Sequence, residues 1–125
     1  MRGNPENPAD WYAFGKRDLE KARKDLIAGE SLYAVLLLQQ AAEKLLKGQL
    51  VELGHNPEKT HNLPYLLTRI GTYGIDLEWF RETAEFLSYE YLAERYPGDF
   101  DPPPTNAEAA NAADWVTKLF DQINP

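Results

Sequence analysis

Residues 31–53 read SLYAVLLLQQAAEKLLKGQLVEL, and this stretch decides the fold. Leu32, Val35, Leu36, Gln39, Ala42, Leu46, Leu50 and Leu53 recur at helical spacing and share one face. A half-buried strand would instead alternate strictly between apolar and polar residues. Leu37, Leu38, Ala41 and Leu45 carry the apolar surface further around the helix. A helix apolar over so much of its circumference is buried on several sides. Two readings satisfy that demand: a central helix, or a helix that also meets a second subunit. Ser31 is expected to cap the start, and Gly54 with Pro57 to end the helix at Leu53.

Punctuation on either side divides the rest of the chain. Upstream, Asn7 is the expected N-cap of a first helix, with Pro8 at its first position and Asp10 in its first turn. Trp11, Phe14, Leu19, Ala22 and Leu26 follow at approximate helical spacing, and Gly29 stops them. Downstream, Thr60 or Asn62 caps a short third helix that ends near Ile70, with Pro64 in its first turn. Asp76 is expected to cap a fourth helix from Leu77 to about Arg95. The loop Tyr96–Pro104 holds four prolines and interrupts helix. Thr105 and Glu108 then form a capping box for a last helix to Ile123. The expected fold is all-α, an antiparallel bundle of four long helices with one additional short helix. It occupies a single domain over residues 1–125, with a core of about 8–123. Trp79, Phe80, Phe86, Tyr89 and Tyr91 lie on one helix but not on one face. Together with the second helix, they lead us to expect a homodimer.

Composition narrows the function. The chain of 125 residues has no cysteine, which excludes disulfides, thiolate metal sites and cysteine nucleophiles. Its formal charge of −7 argues against general nucleic-acid binding, which needs a basic surface. The charge is uneven: residues 1–73 hold 10 basic and 9 acidic side chains, residues 74–125 hold 3 and 11. The longest strictly apolar run, Ala34–Leu38, is too short for a membrane span. Met1–Pro8 is polar, without the basic-then-apolar pattern of a leader, so a cytoplasmic location and no membrane partner are expected.

Catalytic motifs are sparse. There is no P-loop, GxGxxG or GxSxG. His55 and His61 are the only histidines, and neither Glu52…His55 nor Glu58…His61 is expected to share a helix face. No metal or cofactor is therefore expected. Glu90 and Glu94 read as a solvated acidic face. Residues alone make no case for an enzyme, and no catalytic residue is assigned. Polar chemistry does interrupt the apolar second helix, where Gln40, Glu43, Lys44 and Lys47 run along one edge. Glu43 and Lys47 stand at i,i+4 in the favourable orientation. The plain reading is a surface ion pair; the functional one is a fixed polar cluster at a groove. Arg17, Lys21 and Lys24 form a basic row on the first helix, either a phosphate receptor or a solvent face. His61 is expected to hydrogen-bond locally, and Arg95 either satisfies helix-end carbonyls or hooks an anion.

Five segments in this order resemble a known family. They are Asp18-Leu19 with Ala22, the Gln40–Lys47 core, Thr60-His61-Asn62-Leu63, Arg95-Tyr96-Pro97, and the alanine-rich last helix. Together they resemble a HEPN domain from about Trp11 to Ile123. The resemblance implies a four-helix up-and-down bundle, commonly dimeric, that binds nucleotides. Prokaryotic members often pair with a minimal nucleotidyltransferase, as its substrate-binding subunit or as half of a toxin–antitoxin module. Many toxin members are metal-independent ribonucleases carrying Arg, four to six residues, then His. Here Phe100, Asp101 and Pro102 occupy the positions where that histidine would fall. The expectation is a non-catalytic module that binds a nucleotide, partners a nucleotidyltransferase, or both. The alternatives are a ribonuclease toxin and a scaffold or antitoxin-like protein without a ligand. Lys44, Lys47 and Arg95 are the expected phosphate ligands and Tyr96 the base-stacking ring, with Gln40, Glu43 and His61 in support.

Overall fold

The computed structural model describes residues 2–96, 98, 102–123 and 125. Part of the proline-rich loop, including the motif positions Phe100 and Asp101, lies outside the described residues. Among these described residues five α-helices follow in order: α1 (Pro8–Ile27), α2 (Ser31–Glu52), α3 (Leu63–Gly71), α4 (Arg81–Arg95) and α5 (Asn106–Ile123). A 3-10 turn, Glu78–Phe80, precedes α4. Among the described residues there is no strand.

Local chemistry sets most boundaries. The Asn7 side chain accepts a hydrogen bond from the Ala9 amide, and Pro8 occupies the first turn of α1, where its missing N–H costs nothing. Gly29, at φ +78°, takes a left-handed conformation that a side chain would strain, and turns the chain into α2. Asn62 caps α3 by accepting from the Tyr65 amide at 3.0 Å. Thr105 and Glu108 cap α5 reciprocally, at 3.1 and 3.0 Å.

Two boundaries differ from expectation. Ser31 is the first residue of α2 rather than its cap; Glu30 holds the cap position without a side-chain bond. The Ser31 hydroxyl is drawn instead to Asn106 Oδ1 at the start of α5. Asp76 accepts from the Glu78 amide at 3.0 Å at the head of the 3-10 turn, where Leu77 holds the cap position, and α4 begins only at Arg81.

The helix read as buried on several sides is the central one. α2 packs against α1, α3, α4 and α5, and Val35, Leu38, Ala41, Ala42, Leu45 and Leu46 are wholly enclosed. Glycines on both helices bring α1 and α2 close. A Cβ at Gly48 would lie 2.7 Å from Tyr12 Cε1, and one at Gly15 would lie 3.2 Å from the Ala41 carbonyl. Phe80, Leu63, Leu66, Ile70, Leu87, Val116 and Leu119 fill the other sides. This packing holds the polar edge of α2 against the start of α3 and the end of α4.

Candidate functional site

The site is built on Glu43, which sits inside the apolar helix and is 5% exposed. A buried carboxylate needs several partners, and Glu43 has three. Its Oε2 accepts from Lys47 Nζ at 2.8 Å, and its Oε1 accepts from Gln39 Nε2 at 3.0 Å. His61 Nδ1 lies 2.9 Å from the same Oε1. Burial alone would raise the Glu43 pKa, but hydrogen bonds from Lys47, His61 and Gln39 outweigh it and hold the carboxyl below its ordinary value. An ionised carboxylate only accepts, so His61 donates through Nδ1, and its Nε2 has no hydrogen-bond partner among the described residues. The His61 partner is therefore on α2, not local as expected.

Gln39 ties this network to the chain before α3. Its Nε2 also donates to the His61 carbonyl at 3.1 Å, and its Oε1 accepts from Gln40 Nε2 at 2.6 Å. Leu63, two residues on, donates its amide to Ser88 Oγ at 3.2 Å, fixing the same segment to α4. The His61 ring lies 5.3 Å from the Tyr91 ring, tilted by 38°. The Arg95 guanidinium lies over that Tyr91 ring, 3.6 Å from its centre, within cation–π range. Residues 34 apart in sequence thus meet across one aromatic ring.

Both open onto a groove of about 600 Å³ between the start of α3 and the outer face of α4. Its walls include Thr60, Arg81, Glu85, Tyr89 and Tyr96. Arg81 is held by Glu78 and the Pro64 carbonyl, whereas Arg95 forms no ion pair among the described residues. A second hollow of about 400 Å³ begins on the other side of Tyr91 and Arg95 and takes in Tyr33, Leu36, Leu37 and Gln40.

The expected site residues are thus partly brought together. Glu43, His61, Arg95 and Tyr96 lie at or directly behind the first groove, and Gln40 lines the second. Lys47 is 5% exposed and closes on Glu43 behind the groove wall, near the Trp11 ring. Lys44 is paired with Asp18 on α1. The basic row Arg17, Lys21 and Lys24 is exposed, and Arg17 stacks on Phe14. His55 contacts Arg69 and the edge of Tyr73, remote from the groove. Among the described residues no group of three or more His, Asp or Glu can hold a metal ion.

Sequence reasoning assigned no site role to Gln39, Asp18 or Tyr91. Gln39 interrupts an otherwise apolar face, and that interruption was the available signal. Nothing in the sequence marks Tyr91 as the ring between His61 and Arg95.

The HEPN domain profile matches residues 9–123. TT1696 from Thermus thermophilus superposes with a TM-score of 0.79 at 26% identity, over 94% of this chain and 95% of that one. ST0689, an archaeal HEPN homologue, superposes with a TM-score of 0.76 at 27% identity, with the same coverage. No curated protein matches the chain.

Proposed function

Because the chain belongs to the HEPN domain family over residues 9–123, we propose that it is a non-catalytic helical module whose His61–Arg95 groove holds a nucleotide. A minimal nucleotidyltransferase is the partner to which it presents that nucleotide, in a toxin–antitoxin setting or as a substrate-binding subunit. The observation that carries the reading is Arg95, a guanidinium without an ion-pair partner among the described residues, laid on Tyr91 in a groove of nucleotide size. Arg95 takes a phosphate through its fork of donors, and Tyr96, 60% exposed, offers a base its ring.

Glu43, Gln40 and His61 act as support, with His61 turned by Glu43 so that its Nε2 serves the groove. Lys47 neutralises Glu43, which removes the repulsion a bare buried carboxylate would exert on an incoming phosphate. Lys44 reaches the ligand only when its pair with Asp18 opens. Calorimetric titration of the protein with ATP and GTP tests the reading; heat at millimolar ligand supports it, and none favours a scaffold that docks a partner without a ligand.

We read the helices as an up-and-down antiparallel four-helix bundle with α3 as the additional short helix, in one cytoplasmic domain. We further propose that it dimerises through the α2 and α4 surface at Tyr33, Leu37 and Leu92. Tyr33 and Leu92 are exposed, and Leu36 and Leu37 are half-buried around the second hollow. An apolar surface of that kind is a site of association.

A second reading has one observation behind it. His61 shares the Tyr91 ring with Arg95 and is oriented by a carboxylate, as an acid–base histidine is. It would supply the histidine that the Arg-x4-6-His pattern lacks and restore metal-independent RNA cleavage. RNA cleavage abolished by both His61→Ala and Arg95→Ala would establish it; no cleavage by the wild type removes it.

A further inference from the structure

On the opposite side of α4, a separate hollow of about 360 Å³ opens between α4 and α5. Trp79, Phe86, Trp115 and Ala112 form its apolar walls, and Glu82, Glu108, Thr83 and Asn111 its polar ones. The indoles of Trp79 and Trp115 stand 6.0 Å apart, inclined by 34°. Among the described residues no basic side chain lines this hollow, but Lys118 lies over both indoles from the next turn of α5, 5.0 Å from Trp79 and 4.9 Å from Trp115.

We propose that this hollow binds a small organic cation, an ammonium or guanidinium group on a short apolar stem. Three features select that chemistry. The indole faces are negative and attract cations, and the Lys118 ammonium, from outside the hollow, already lies over both rings. Two carboxylates share the hollow with the rings. Glu82 forms no ion pair among the described residues; Glu108 uses Oε1 to cap Thr105, leaving Oε2 for a ligand. Phe86 and Ala112 provide apolar surface for the stem. The volume falls at the low end of small-molecule sites, which favours a free small cation over the broad face of a protein partner. Anions are excluded here by the same carboxylates, so this site and the His61–Arg95 groove take ligands of opposite charge.

The test follows the indole N–H signals of the three tryptophans by NMR of the whole protein. Titration with butylguanidinium should shift the Trp79 and Trp115 signals saturably and leave Trp11 in place. Neutral butyramide, of similar size, should shift neither. Glu82→Gln should weaken binding roughly threefold, and so should Glu108→Gln, in which glutamine still caps α5. Lys118→Met removes the competing ammonium and should tighten binding by about two- to threefold. That gain is not expected if Lys118 merely braces the indoles. Equal shifts with butyramide, unchanged affinity in both glutamine variants, or weaker binding in Lys118→Met would each overturn the proposal. So would a capped arginine tripeptide binding more than about tenfold tighter than butylguanidinium, because the site would then belong to a protein partner.

Discussion

Glu43 Oε1 and His61 Nδ1 meet at 2.9 Å across 18 residues of sequence, joining the most buried helix to the loop that opens the groove. Glu43 is enclosed while His61 is more than half exposed, so the pair carries a fixed internal charge out to a solvent-facing ring. Lys47 holds the other oxygen of the same carboxylate at 2.8 Å.

The enclosed members should therefore matter more to stability than the exposed one. Glu43→Leu strands the Lys47 ammonium in the core and should cost about 3–5 kcal/mol. Glu43→Leu with Lys47→Met should recover most of that, because neither charge remains. His61→Ala leaves Glu43 paired and should cost only about 1 kcal/mol, less than a buried hydrogen bond to a charged group, because the ring is more than half exposed. Urea unfolding of the variants gives the order directly.

Acid should release this network. The folded Glu43 carboxyl lies below its ordinary value of 4.5, since Lys47, His61 and Gln39 overcome the opposing effect of burial. A folded pKa lowered in this way stabilises the protein fully above the unfolded value and is lost as pH falls through the folded one. The urea midpoint of the wild type should thus drop from about pH 4.5 downward. The gap between wild type and Glu43→Gln should narrow over the same range. A gap that is constant with pH would place the wild-type stabilisation outside the Glu43 charge.

Much of the fold was legible because its signals are local. Asn7 with Pro8, Asn62 with Pro64, and Thr105 with Glu108 each mark a helix start within four residues. Ser31 failed as a cap because Asn106, far away in sequence, competes for its hydroxyl. The polar edge of α2 was legible as an edge, but its depth was not. Spacing alone makes Glu43 and Lys47 a surface pair, and only packing by α1 and α3 encloses them. His61 and Arg95 converge through Tyr91, a tertiary relationship with no counterpart in residue spacing.

Gly48 is the sharpest packing constraint. An added methyl would lie 2.7 Å from Tyr12 Cε1 and 2.9 Å from Trp11 Cβ, and the second of these is anchored next to the α1 backbone. Gly48→Ala should destabilise by about 1–3 kcal/mol despite its better helix propensity. Thermal unfolding would show this as a lowered midpoint; a raised one would mean that α1 moves aside freely.

The proposed dimer makes its own prediction. Light scattering at micromolar concentration should give twice the mass of 14.3 kDa. Leu92→Glu, on an exposed apolar position of α4, should return the monomer without changing helix content. A monomeric wild type removes the dimer from the functional reading.

The central claim is that Arg95 holds the phosphates of a nucleotide in the groove. It is tested most directly by calorimetry of ATP against the wild type, Arg95→Ala and Arg17→Ala. Arg17 is an exposed arginine on α1 outside the groove, so its loss controls for net charge. A charge-assisted hydrogen bond to phosphate contributes about 1.5–3 kcal/mol. Arg95→Ala should therefore bind about ten- to a hundredfold more weakly, with Arg17→Ala close to the wild type. Equal affinity in all three proteins would contradict the assignment of Arg95.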